Sequence, residues 1–294
     1  EFCKRGGAKT LAFDVIFTEP SVYNVEDDQV FAAAIRDFNR FVGTVSSSSS
    51  EGDMDNWPDY AARPTLKILN LDSWLSTIEN SEILVPKASF PIPEISAAAN
   101  ILGDVQFNPD SDNVYRRAAL FHVFDGNVLP SLALASYLAA NPTDVIIIEP
   151  GRLMVGDKMI PIDKEGKAVI NFRGPSETHK AYSAAAVIQS EIRIRNGEQP
   201  TIRPDVFKDS YVFFGYSARG LFDLRPTPVS DNYPGVEVHA TMLDNLLAGD
   251  FFHQLPTSAV IAITIFMALL AGFATSSVSG IIKSAFVYIF FIFA

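Results

Sequence analysis

Cysteine is almost absent from these 294 residues, Cys3 being the only one. An intramolecular disulfide is therefore excluded, and a chain of this length can build a core without one. Cysteine usage fits the cytoplasm and an oxidising compartment equally. The sequence also lacks a Gly-x-Gly-x-x-Gly or Gly-Lys-Ser/Thr loop to cradle phosphate, a His-Glu-x-x-His helix, and paired Cys-x-x-Cys motifs. His122, His179, His239 and His253 are scattered without metal-ligand spacing. No catalytic residue, no metal site and no cofactor is assigned to this region. Basic side chains are in deficit, 23 against 34 acidic ones for a net charge of -11. Such a surface repels phosphate backbones, so nucleic acid is not among the expected partners.

Charge is missing altogether from Leu255 to Ile282. As a helix, residues 257–278 would be about 33 Å long, close to the hydrocarbon thickness of a bilayer. A second apolar run, Ser284 to Ala294, is dense in aromatic and β-branched residues. It is too short as given to cross and is expected to be the first half of a second span. The chain thus divides into a water-facing domain at 1–254, a membrane helix at 255–278, a short cytoplasmic loop at 279–283 and a further span beginning at 284. Lys283 places that loop in the cytoplasm by the positive-inside rule, which puts the acidic domain outside. At the other end, Glu1 to Lys9 lacks the zones of a signal peptide and a core strand begins almost at once, so the sequence reads as a fragment of something larger.

Within 1–254, strand-like Leu11 to Phe17 is followed by a helix from about Glu26, whose Phe31, Ala34, Ile35 and Phe38 share one face. The next strand is Phe41 to Val45, and together these make a βαβ unit with a parallel pair. Ser46 to about Arg63 reads as a mobile polar loop. A helix is expected from Pro93 through Leu102, ended by Gly103. Strands are expected at Val105 to Phe107 and Ala118 to Phe124, then a helix at Pro130 to Ala140 and a strand at Val145 to Glu149. A hairpin over Arg152 to Ile162 should turn at Gly156-Asp157. Strands at Ala168 to Arg173 and Tyr211 to Ser217, and an amphipathic helix at Val236 to Leu247, complete the reading. The fold class is α/β, a mixed sheet flanked by helices and followed by transmembrane α-helices.

Asp14 shares a strand face with Ala12 and Ile16, where an unpaired carboxylate is costly. Arg116, Arg117 or backbone N–H groups could partner it, either in a ligand pocket or as a structural anchor. The Ser217 to Gly235 loop follows the carboxyl end of a strand, the usual place for ligands in open α/β sheets. Arg219, Asp223, Arg225 and Asp231 charge it, and three prolines stiffen it. It could bind a small molecule, transmit force or brace the fold. Asn108-x-Asp110-x-Asp112 opens like a calcium loop, but Asn113 and Ala119 stand where the sharp-turn glycine and bidentate glutamate are needed, so it reads as a turn.

Gly7 to Phe17, the Gly103 to Arg117 stretch ending in Val114-Tyr115-Arg116-Arg117, Pro130-Ser131-Leu132-Ala133, and Val212 to Leu247 together resemble the CHASE domain of type two, the cyclase- and histidine-kinase-associated sensory extracellular domain. The most specific block holds Asp223, Thr227-Pro228 and Pro234-Gly235-Val236-Glu237-Val238-His239-Ala240. The resemblance implies a sensor outside the bacterial inner membrane, between membrane helices, feeding a cytoplasmic cyclase, kinase or phosphatase. It implies a multi-pass protein whose partners are the lipid bilayer, a second copy in a homodimer, and a small-molecule or protein signal. Asn113 departs from the family's common glycine. The candidate ligand or signal-relay residues are Asp14, Arg116, Arg117, Arg219, Asp223, Thr227 and His239.

Overall fold

The computed structural model describes residues 1–78, 82–143, 145–217, 224–277, 280 and 285. The chain runs through α1 (Phe2–Gly6), β1 (Thr10–Phe13), α2 (Val25–Phe38), β2 (Phe41–Ser48), β3 (Lys67–Leu69), α3 (Leu71–Leu75), β4 (Lys87–Ser89) and α4 (Pro93–Ala98). It continues through β5 (Ile101–Asp104), β6 (Arg117–Ala119), β7 (Phe121–Phe124), β8 (Asn127–Pro130), α5 (Leu132–Ala140), β9 (Val145–Glu149), β10 (Arg152–Val155) and β11 (Lys158–Pro161). It ends through β12 (Lys167–Val169), α6 (Ala184–Arg195), β13 (Tyr211–Phe214), β14 (Leu224–Thr227), β15 (Ser230–Pro234), α7 (Gly235–Ala248) and α8 (Thr257–Ser276). Two units result, Glu1–Phe252 and His253–Ala294.

In the first unit, β13, β1 and β2 run parallel in that order. β2 is long enough for two further neighbours, β5 in parallel along Val42–Val45 and β4 antiparallel along Ser46–Ser48. Helix α2 supplies the β1–β2 crossover. Asn24 caps it by accepting the Glu26 N–H (3.1 Å), three acidic residues occupy its first turn, and Asn39 ends it in the left-handed region at φ 58°. A second sheet, β11-β10-β9-β3, buries Ile68, Ile146, Ile148, Leu153, Val155 and Ile160 against α5 and α7 in the largest core. The mixed α/β architecture is the one the sequence pattern indicates.

Several boundaries differ from the sequence reading. Ser46, Ser47 and Ser48 belong to β2 rather than to a mobile loop, and Trp57 and Ala61 pack into a separate core with Phe90 and Phe124. The helix begun by Pro93 stops at Ala98, and Leu102 and Gly103 lie on a parallel strand. Gly103 is needed there because a Cβ would stand 2.9 Å from the Leu132 Cα and the Ala135 Cβ, so α5 lies directly on β5. Consequently the expected strand at Val105 to Phe107 is irregular, and Ala118 to Phe124 divides between β6 and β7. The Ser217 to Gly235 segment contains the hairpin β14–β15, and α6 is a helix the pattern did not reveal.

The second unit contains α8, a 20-residue helix whose most apolar stretch has a mean hydropathy of 2.2 and is not buried. At about 1.5 Å per residue it is roughly 30 Å long, long and apolar enough to cross a bilayer. The anticipated second span at 284–294 lies outside the described residues apart from Ala285.

Candidate functional site

Parallel strands end in unpaired carbonyl and amide groups, and side chains just beyond them can converge from several elements. Asp14 occupies such a place after β1, where its backbone N–H donates to the Phe214 carbonyl of β13 (2.7 Å). Beside it Gly215 has no room for a side chain, since a Cβ would meet the Val236 Cβ at 2.7 Å and the Asp14 Cβ at 3.1 Å. That close approach lets the start of α7 lie against the strand ends. The same helix then delivers His239, 2% exposed, whose Nε2 stands 3.9 Å from Asp14 Oδ1.

Aromatic rings and the Arg225 guanidinium lie around this pair. Phe107 meets the His239 ring edge-to-face at 5.3 Å and the Tyr115 ring at 5.2 Å. Arg225 of β14 lies over both Phe107 and Tyr115, 5.7 and 5.4 Å from their centroids, and donates from Nη1 to the Tyr115 hydroxyl (3.4 Å). Tyr115 fixes the hairpin by donating its N–H to the Pro226 carbonyl (2.8 Å). Burial pushes the Asp14 carboxyl up to about 6, while the Arg225 charge pulls it down. Asp14 can thus exchange a proton in the mildly acidic range at a place where sheet, hairpin and helix meet.

A second buried carboxylate ends β5. Asp104 is fully buried; its Oδ1 accepts from the N–H groups of Ser47 (3.1 Å) and Gln106 (3.0 Å). Its Oδ2 accepts from the Ser47 hydroxyl and lies 2.6 Å from His122 Nδ1. Serine and histidine both address the carboxylate instead of each other, so this is not a nucleophile–base–acid relay. It is a satisfied polar anchor.

Of the residues singled out from sequence, Asp14 and His239 are brought together. Arg116 and Arg117 are not the partners of Asp14: Arg116 pairs with Asp110 and Asp112 (3.3 and 2.8 Å), and Arg117 with Asp110 and Asp163 (2.8 and 2.7 Å). Those contacts close the Asn108 to Arg117 turn, and no metal-holding cluster occurs among the described residues. Thr227 closes the β14–β15 turn, accepting from Ser230 N–H (3.2 Å) and donating to the Ser230 carbonyl (3.0 Å). Arg219 and Asp223 lie outside the described residues. Phe107, Tyr115 and Arg225 were not among the candidates. Arg225 had a signal in its charged, proline-stiffened loop, whereas Phe107 carried none. An apolar cavity of about 380 Å³ lies elsewhere, between α1 and α6, lined by Phe2, Cys3, Val187, Ile188 and Ile192 among others.

Helix α7 is tied down along its length by the segment from Asn171 to His179. Near its start, Glu237 accepts from the Ser176 hydroxyl and Glu177 N–H (both 2.9 Å), and His179 Nε2 lies 3.0 Å from the Thr241 hydroxyl. Near its end, Asn171 and Asn245 exchange two bonds, N–H to Oδ1 (2.8 Å) and Nδ2 to carbonyl (3.0 Å). Arg173 grips Asp250 through two parallel bonds of 2.7 and 2.8 Å and also bonds Asp244. Phe252 then donates its N–H to the Val169 carbonyl (3.1 Å).

These features define a class: an α/β domain with buried polar clusters at the carboxyl ends of parallel strands, continuing in sequence into a helix of membrane-spanning length and composition. The family can be stated as well. The chain belongs to the CHASE2 domain family, whose model matches residues 1–274, and CHASE2 is an extracytoplasmic sensory domain. Comparison with curated proteins and with solved structures gave no match.

Proposed function

We propose that this chain is the input module of a bacterial multi-pass inner-membrane signalling protein and governs a cytoplasmic nucleotide cyclase. One observation carries the relay: α7 presents His239 to Asp14 near its start, and the residues after its end are held to Val169 and Arg173 immediately before α8 begins. A small-molecule or protein signal at the Asp14–His239–Arg225 cluster would shift α7. Because the intervening segment is short, that shift would reach α8 and bias how two copies meet. The family resemblance supports a cyclase output, in which two catalytic domains must come together. A histidine or serine/threonine kinase is the second output compatible with the resemblance.

Membranes carrying the full-length protein should make a cyclic nucleotide from ATP or GTP, at a basal rate altered by His239→Asn and by Asp14→Asn. Autophosphorylation from labelled ATP without cyclic product would transfer the reading to a kinase. Output indifferent to both substitutions, in folded variants, would leave a module that only holds membrane helices together.

A further inference from the structure

Phe251 and Phe252 are neighbours with opposite environments. Phe251 is 4% exposed and packs into the largest core, whereas Phe252 is 53% exposed. The backbone is not free to hide the second ring, because the Phe252 N–H donates to the Val169 carbonyl (3.1 Å). Leu247, in the last turn of α7, is 38% exposed as well. Single exposed apolar side chains are ordinary on a protein surface. These two are set apart by where they stand on the chain.

After Asp250 the sequence holds no Asp, Glu, Lys or Arg before Lys283, so Phe252 already belongs to the charge-free run that becomes α8. Five residues take it to Thr257, where α8 begins, a reach of at most about 18 Å even fully extended. With α8 across a bilayer, the Phe252 ring is therefore kept within reach of the headgroup layer, roughly 5 to 8 Å deep on each side of the hydrocarbon. Local charge does not oppose the approach. Asp244 and Asp250, the acidic residues nearest in sequence, are both bonded by Arg173, and the Lys158 Nζ stands on the Leu247 carbonyl (3.2 Å). An acidic domain thus ends in an apolar pair beside an ammonium group.

We propose that Leu247 and Phe252 seat the domain on the lipid bilayer, both side chains lying among the headgroups and upper acyl chains with Lys158 at the level of the phosphates. The domain then rests on the membrane instead of swinging from it. The proposal takes α8 as inserted and goes beyond the signalling reading by naming what the exit of the domain touches. Two apolar side chains would not hold a free domain on a membrane, since even a myristoyl chain gives only marginal binding. Tethering through α8 raises their effective concentration at the surface, and a weak contact then suffices.

The test uses the full chain in liposomes of phosphatidylethanolamine and phosphatidylglycerol, with Cys3→Ser as background and a fluorescent maleimide on one cysteine at a time. The positions are Leu247→Cys, Phe252→Cys, Ala268→Cys within α8, and Tyr23→Cys as a control that is 93% exposed between β1 and α2. Lipids carrying a nitroxide near the headgroup should quench the Leu247 and Phe252 probes severalfold more than the Tyr23 probe. Phe252→Asp should lower quenching at Leu247 severalfold, with unchanged melting to show that the variant folds. Quenching at both positions no stronger than at Tyr23 would overturn the proposal, and so would a Leu247 probe indifferent to Phe252→Asp. Probes shielded from aqueous iodide yet not quenched by lipid would overturn it too, by placing this surface on protein. Quenching at Ala268 by a nitroxide deep in the acyl chains reports insertion of α8 alone, so failure of the seat is distinct from failure of the membrane reading; an unquenched Ala268 probe would overturn both.

Discussion

A carboxylate at the position of Asp14, packed beside Gly215 and Val236 with His239 3.9 Å away, gives up hydration when it ionises and recovers part of the loss from Arg225. The sign follows from its raised value of about 6. Between about pH 4 and 6 the folded state keeps a proton that the unfolded chain, with an ordinary carboxyl near 3.9, has released. Stability from this group is therefore lost as pH rises through that window, and above it the ionised carboxylate costs on the order of 3 kcal/mol. Asp14→Asn should be more stable than the parent at pH 7, and the gap should close as pH falls to 4, followed by thermal melting of both proteins. A gap independent of pH would mean that the carboxyl titrates normally. An apolar strand interrupted by aspartate made Asp14 readable as a special position from sequence. Its partners were not readable, because His239 and Arg225 are more than two hundred residues away and arrive only through the packing of α7 and the β14–β15 hairpin.

At the scale of elements, α7 and the segment from Asn171 to His179 act as one piece. Removing the guanidinium with Arg173→Met should cost about 1 kcal/mol globally, since its pairs with Asp244 and Asp250 are partly solvated. The larger effect should be local: amide exchange at Gly249 to Phe252 should accelerate at least tenfold while exchange in β9 and β10 stays slow. Equal acceleration in both places would show that the clasp supports the whole domain. Elements with a strong period were legible in the sequence, among them β1, α2, β9 and the β10–β11 hairpin. Those that failed had a physical reason. Ser47 looks like loop composition, yet it is buried in β2 because Asp104 takes both its N–H and its hydroxyl. Leu102 and Gly103 read as the last residue and the stop of a helix, yet the parallel register with β2 claims them. Pro226, Pro228 and Pro234 argue against strands, but a two-stranded hairpin leaves edges where a missing N–H does no harm. Helix α6 exposes Ile188 and Ile192, so its apolar residues do not mark a buried face.

For the whole molecule, the side of the membrane on which the acidic domain lies is the property to test, because α8 is long and apolar enough to cross a bilayer. Family membership and Lys283 both favour the domain outside. Ser50 is exposed just beyond β2, so Ser50→Cys in a Cys3→Ser background offers a clean probe. An impermeant thiol reagent should label it in intact cells as fully as after lysis; labelling only after lysis would reverse the topology.

The Phe252–Val169 bond has a mechanical meaning. Beyond it, α8 begins at Thr257 after only a few residues. A pull on the chain from the membrane side is taken first by that backbone bond, then by the twin Arg173–Asp250 bonds and the Asn171–Asn245 exchange, before any turn of α7 unwinds. Tension is thereby delivered to β12 and to the far end of α7 together. Stretched from its membrane end, the domain should hold until this knot gives way in a single step, and only then begin to pay out helix.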